Sequence, residues 1–181
     1  MGNTIVKRTT LIVRDMEKSR AWYEEVLEMS AYYDDEVVLS GTGMAAGKKG
    51  DRTHLVILKC QDPVIGMIGL LQWVKPVWPA PKDIPSAVGY GMPTFVVDSD
   101  NVRALHERAL KLDSIIHSEP REWSVRGATG DMIDFLGMSL FDPDGHFFEV
   151  NQEYFCQATE MQSVRTFFIQ GKSTTFVQSH S

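Results

Sequence analysis

The chain has 181 residues, 43% of them hydrophobic and 23% charged, with a formal net charge of -6 and a pI near 5.3. These values describe a globular protein with enough apolar residues for a substantial core. They exclude a disordered chain and a basic nucleic-acid binder, whose footprint needs clustered Lys and Arg. No segment approaches the roughly 20 apolar residues of a membrane helix, so no membrane partner is expected. Cys60 and Cys156 are isolated thiols without metal-type spacing, expected to stay reduced in a cytoplasmic protein.

In chain order, Thr4 to Val13 is rich in β-branched residues and predicts a strand. Asp15 is placed to cap a helix over Met16 to Met29. There Met16, Trp22, Tyr23, Val26 and Leu27 fall at helical spacing, while Glu17, Lys18, Arg20, Glu24 and Glu25 supply the wet face. Ala31 to Leu39 predicts a second strand, Ser40 to Asp51 a glycine-containing loop, and Arg52 to Cys60 a third strand. After the break at Gln61-Asp62-Pro63, Gly66 to Val74 predicts a fourth. Lys75 to Ser86 carries Pro76, Pro79, Pro81 and Pro85 and reads as a stiff linker.

The pattern then restarts. Gly89 to Asp98 predicts a strand, Asp98 or Ser99 a cap, and Val102, Leu105, Ala109 and Leu112 the stripe of a second helix. Ser114 to Val125 predicts a strand interrupted at Pro120, followed by a loop from Arg126 to Asp131. A hairpin closes the pattern, with Met138 to Phe141 and Phe147 to Val150 flanking the turn Asp142-Pro143-Asp144-Gly145. The order βαβββ therefore occurs twice, an internal duplication. The expected fold class is α+β, with module one at 4–75, a linker at 75–88, module two at 89–152 and an extension at 153–181. In the extension, Tyr154, Phe155, Val164, Phe167, Phe168 and Ile169 are too apolar for a free tail and predict packing on a neighbour.

In the last strand Phe147, Glu149 and Asn151 share one face, and His146, Phe148 and Val150 the other. A carboxylate between apolar neighbours in a half-buried strand needs a partner, a metal or a function, unless that face is open to water. The other candidates read more plainly. His54 lies on an apolar strand as a core or edge residue, His146 follows a turn glycine, and His106 and His117 read as surface residues. Trp22 and Tyr23 read as core anchors. Trp73, Trp78, Tyr90, Trp123 and Phe147 are candidates for an aromatic cavity wall.

Two stretches one module apart, LIVRDMEKSRAWYEEVLEM and LFDPDGHFFEV, resemble the vicinal oxygen chelate superfamily. That superfamily includes glyoxalase I, extradiol dioxygenases, fosfomycin-modifying enzymes and bleomycin-resistance proteins. The resemblance covers about residues 4–152. It implies two βαβββ modules forming an incomplete barrel, a small-molecule cavity, a homodimer, and a divalent cation held by one inward residue from the first and last strands of each module. Carried over position by position, those four places fall on Arg8, Gln72, Met92 and Glu149. A guanidinium repels a cation and a thioether suits these ions poorly, so the expected site is metal-free. The resemblance then implies Glu149 as acid/base, paired with Arg8, and Arg8, Gln72 and Met92 as substrate-binding residues. Two functions remain open: an enzyme of lyase, isomerase or dioxygenase type acting on a small organic molecule, and a sequestering protein of the bleomycin-resistance kind. A third reading keeps a metal on Glu149 and Gln72.

Overall fold

The computed structural model describes Gly2 and residues 4–153. The expectations for the extension and for Cys156 lie outside the described residues. Two units of the same order follow one another. The first comprises β1 (Arg8–Ile12), α1 (Met16–Val26), β2 (Ser30–Val38), β3 (Arg52–Lys59) and β4 (Met67–Lys75). The second comprises β5 (Thr94–Asp98), α2 (Val102–Lys111), β6 (Ile115–Arg126), β7 (Met132–Phe141) and β8 (Phe147–Glu153). Among the described residues the strands form two four-stranded mixed sheets, ordered β1-β4-β3-β2 and β5-β8-β7-β6, and no closed barrel. In each sheet the first strand runs parallel to the last and the remaining pairs are antiparallel.

Some boundaries differ from the sequence expectation, each for a local reason. β5 begins at Thr94 because Gly89 to Met92 forms a turn, closed by the Met92 N–H on the Gly89 carbonyl at 3.2 Å. The cap of α2 is Asn101, whose Oδ1 accepts the Ala104 N–H at 3.0 Å, and not Asp98 or Ser99. β6 continues through Pro120 because it is an edge strand whose register with β7 slips between Ile116 and Arg121, where a residue without an N–H is tolerated. β7 starts at Met132, directly after the predicted loop, so it extends the predicted arm from Met138 back by six residues and pairs along β6 as far as Arg126.

One core serves both units. α1 packs on β3 and β4, α2 on β6, β7 and β8, and the helices on each other. Trp22 and Tyr23, 1% and 0% exposed, are the anchors the helical spacing predicts. They reach across to Phe148 of β8 with ring centroids 5.4 Å and 5.9 Å away, and the Trp22 indole N–H donates to Ser114 Oγ at 2.7 Å. Burial of such aromatic surface is worth several kcal/mol per residue, roughly 3 to 5 on truncation to alanine.

The helix starts reveal how the two units correspond. The Asp15 side chain accepts the Lys18 N–H at 3.1 Å, as Asn101 does for Ala104. A second side chain then comes from the last strand of each unit. Gln72 Oε1 accepts the Met16 N–H at 3.1 Å, and Gln152 Oε1 accepts the Val102 N–H at 3.1 Å. Each glutamine thus takes an N–H that the helix itself leaves unpaired. Gln72 also donates through Nε2 to the Arg14 carbonyl at 3.0 Å. Replacement of Gln72 by Ala should orphan the Met16 N–H and lower stability by about 1 to 2 kcal/mol in a denaturant titration. An unchanged midpoint would show that water replaces the amide without loss.

Candidate functional site

The equivalence of Gln72 with Gln152 corrects the sequence alignment of the two modules. Glu149 pairs with Val96 of β5, and the matching position in the first unit, paired with Thr10 of β1, is Gly69. Gln72 lies three residues further on, on the opposite face of the sheet, with both ends of its amide bonded to backbone near α1. The structure therefore does not bring Gln72 to Glu149. At Gly69 the missing Cβ leaves room for other side chains: a Cβ there would lie 2.9 Å from Thr10 Oγ1 and 3.2 Å from Arg8 Cδ.

Glu149 faces a cavity of about 370 Å³ on the face of the second sheet that points away from the helices. Glu149 and Asn151 come from β8, Ser139 and Gly137 lie opposite them on β7, and β6 adds His117, Arg121 and Trp123. Glu149 Oε1 accepts the Asn151 Nδ2–H at 2.9 Å. Among the described residues its other oxygen, Oε2, carries no hydrogen bond and no cation pairs with the carboxylate. His117 is exposed, as the sequence suggested, and stands edge-on to Phe141 and Phe147 where it borders the cavity.

Arg8 does not join this group. It is exposed at the start of β1 and lines a separate cavity of about 210 Å³ with Lys7, Cys60 and residues of β5. The expected Arg8–Glu149 pair is absent: Arg8 lies in a cavity lined by both β1 and β5, and Glu149 in the one against β6, β7 and β8. Met92 sits in the turn before β5, with its sulfur accepting the Gly89 N–H at 3.3 Å. Since Arg8 and Glu149 share no contact within the chain, the cycle of Arg8→Met and Glu149→Gln should be additive within about 0.5 kcal/mol in stability. A coupling well above that would mean that they meet.

The remaining sequence candidates separate. Trp73 stacks on Trp78 at 3.8 Å beside the linker, Trp123 and Phe147 line the Glu149 cavity, and Tyr90 is fully exposed. His54 binds Asp34 through Nε2 at 2.7 Å, in a surface group where Arg20 also meets Asp34 and Glu24. Such exposed pairs contribute little. The hydrogen bond from His54 holds the Asp34 carboxyl below the usual range; burial opposes it, and the Arg20 hydrogen bond and the charges of both cations add to the lowering. His106 lies within ion-pair distance of Glu119 without the alignment of a hydrogen bond.

The turn at Asp142 to Gly145 carries the densest polar cluster, which sequence reasoning read only as a turn. Asp142 is 2% exposed. Its Oδ2 accepts from Tyr23 Oη at 2.7 Å and meets His146 Nδ1 at 2.9 Å, while its Oδ1 accepts the Asp144 and His146 N–H groups at 2.9 and 2.8 Å. Asp144 in turn accepts from the Arg14 N–H and Nε and from Ser19 Oγ at 2.6 Å. The turn of the second unit is thereby fixed to the first turn of α1, where a carboxylate also complements the helix dipole.

The sequence profile of the Glyoxalase/Bleomycin resistance protein/Dioxygenase superfamily matches residues 5–150. The chain belongs to this superfamily. Among curated proteins nothing matches it. Among solved structures, a glyoxalase family protein of Bacillus cereus is 13% identical with a TM-score of 0.64, covering 84% of this chain and 98% of its own. The trypanothione-dependent glyoxalase I of Leishmania major is 16% identical with a TM-score of 0.53, over 83% and 87% of the two chains. An antibiotic-binding protein of a Streptomyces species is 17% identical with a TM-score of 0.51, over 85% and 99%. At these identities the likeness is one of fold.

The superfamily implies a divalent cation, and the residues present do not fit one. On this register Arg8 corresponds to Thr94 of β5, and Met92 lies in the turn before it, so Arg8, Gly69, Thr94 and Glu149 hold the four places and supply one anionic oxygen ligand. Among the described residues no three His, Cys, Asp or Glu side chains come together as a metal set.

Proposed function

We propose that this superfamily member binds a small organic molecule on the open face of its second sheet and converts it without a divalent ion, with Glu149 as the acid/base. The observation that carries the reading is the carboxylate at the cavity floor. One oxygen is steadied by Asn151, and the other is left without a protein partner among the described residues. A held carboxylate with a lone pair facing bound substrate is what proton transfer from carbon, nitrogen or oxygen requires. Ser139 and His117 add polar groups beside it, and Trp123 and Phe147 supply apolar wall for the body of the ligand.

A second reading, a sequestering protein that holds its ligand unchanged, draws support from the fold shared with an antibiotic-binding protein. A metabolite screen followed by mass spectrometry separates the two: a bound compound recovered intact after long incubation favours sequestration, and a product favours the enzyme. No compound retained by the wild-type protein would sink both.

The reading also takes the protein to be a cytoplasmic homodimer. Among the described residues no helix is long and apolar enough to cross a membrane. Ile12 of β1 and Val96 of β5 are 45% and 67% exposed, apolar surface that a second copy would cover. Light scattering should give twice the chain mass, and a monomer at tens of micromolar would remove the dimer from the reading.

A further inference from the structure

We infer that the chain holds a second small-molecule site, under the proline-rich linker, for a flat neutral aromatic molecule carrying one hydroxyl that His146 bonds. A cavity of about 430 Å³ lies between that linker and the ends of β1 and β4, within the roughly 300 to 1,000 Å³ of small-molecule pockets. It shares no lining residue with the Glu149 cavity, so it neither needs nor alters the chemistry proposed there. Its roof is held at two points. Trp78 stacks on Trp73 at 3.8 Å, and the Trp73 indole is itself fixed by donating to Asp51 Oδ2 at 3.1 Å. At the other end Pro85 lies so close over the turn that a Cβ on Gly145 would come within 2.6 Å of Pro85 Cδ. A linker that merely joined two units would need neither contact.

The polar groups of the lining narrow what can enter. Arg14 and Asp144 meet each other at 2.9 Å, and both ends of the Gln72 amide are bonded to backbone. His146 is different. Its Nδ1 meets Asp142 Oδ2 at 2.9 Å, a buried carboxylate that accepts, so Nδ1 carries a proton and the ring is held in one orientation. Nε2, on the ring edge away from Asp142, has no hydrogen bond among the described residues and keeps access to the outside, the side chain being 17% exposed. A hydroxyl suits that nitrogen in either charge state, donating to the neutral ring and accepting from the imidazolium. The rest of the wall is largely apolar, made by the two indoles, Ile12, Val13 and the linker prolines. It favours a flat ring lying along Trp78, which is 39% exposed. A carboxylate would gain Arg14 but meet Asp144 and the exposed Asp83 of the roof, and an ammonium would face Arg14 and the protonated form of His146, so a neutral molecule fits best.

The test uses the full chain with 2-naphthol, naphthalene and 2-naphthoate as probes. Binding is measured by titration calorimetry, and the His146 ring nitrogens are followed in long-range nitrogen–proton correlation spectra. 2-Naphthol should bind about fivefold more tightly than naphthalene, the net return of one hydrogen bond, and more tightly than 2-naphthoate. It should also move the Nε2 signal, which naphthalene should leave in place. Trp78→Ala, at an exposed position outside the core, should weaken 2-naphthol and naphthalene alike, by about fivefold or more. His146→Leu should abolish the preference for the hydroxyl; where that variant does not fold, the Nε2 signal of the wild-type protein decides. Trp123→Phe should leave all three affinities unchanged, which separates this site from the Glu149 cavity. No binding of 2-naphthol, equal or tighter binding of either other probe, an unmoved Nε2 signal, or loss of binding in Trp123→Phe rather than in Trp78→Ala would overturn the inference. None of these results touches the Glu149 reading, which is judged on a substrate found by screening.

Discussion

Replacement of Asp142 by Ala should cost about 3 to 5 kcal/mol, a large fraction of the stability of a domain this size. Its carboxylate serves four donors at once: Tyr23 Oη, His146 Nδ1 and the N–H groups of Asp144 and His146. Tyr23 is 0% exposed, so its hydroxyl has no water to turn to when Asp142 is gone. Each buried donor left unpaired costs about 1 to 3 kcal/mol, and some of the sum returns as water enters the turn. Asp142→Asn keeps an oxygen for the two N–H groups but turns an NH2 toward the tyrosine and the histidine, so it should fall between wild type and Asp142→Ala. A loss below about 1 kcal/mol in urea unfolding of Asp142→Ala would mean that the turn does not join the two units.

The same cluster sets a pH dependence. Burial pulls the His146 imidazolium down, but its hydrogen bond to Asp142 and the charges of Asp142 and Asp144 outweigh that and the opposing Arg14, leaving its pKa raised. A group whose folded pKa is raised contributes stability that is complete below its unfolded value, about 6.5 for histidine, and lost as pH climbs through the folded value. Wild-type protein should therefore lose a small increment as pH rises from about 6.5 that His146→Gln lacks. The Tyr23 hydroxyl is held well above its ordinary value, first by burial and then by the charge and hydrogen bond of Asp142, so it remains the donor throughout that window.

Much of this was legible in the residues. β-Branched runs and helical stripes placed ten elements in the right order, Asp15 was recognisable as a cap, and alternation in β8 put Glu149 on the face away from Phe148. The register between β1 and β4 was not legible, because parallel neighbours joined through a long crossover leave no local mark of which residues lie side by side. Matching Gln72 to Glu149 by likeness of the flanking apolar residues misplaced the first unit by three positions. Matching Gln72 to Gln152, the same side chain serving the same helix start, would have found Gly69 instead. The Trp123, Gly137 and Asn151 group was hidden for a related reason: it is assembled from three strands, and none of the three segments is unusual alone. The role of Asp142 was hidden behind its fitness for a turn, since Asp-Pro-Asp-Gly satisfies turn chemistry without reference to Tyr23 or Arg14.

Glu149→Gln should leave the fold intact and remove turnover. The substitution preserves the side-chain shape, and its amide oxygen can still accept from Asn151 Nδ2. No cation pairs with Glu149 among the described residues, so no stranded charge follows and the stability change should stay within about 0.5 kcal/mol. A carboxamide cannot take up a proton at neutral pH. A positioned acid/base contributes about 10² to 10⁴ in rate, so kcat on the substrate found by screening should fall at least a hundredfold, with KM shifting far less. Arg8→Met is the informative companion, because Arg8 lines a different cavity of the same chain and should leave kcat within about twofold if one chain suffices. A loss of kcat comparable to that of Glu149→Gln would carry a specific meaning. Arg8 would then reach the reacting molecule from outside its own chain, with the first sheet of one protomer closing over the second sheet of its partner, and the candidate site would have to be redrawn across that interface. Retained turnover in Glu149→Gln would be the graver result, since it removes the Glu149 carboxylate from the chemistry.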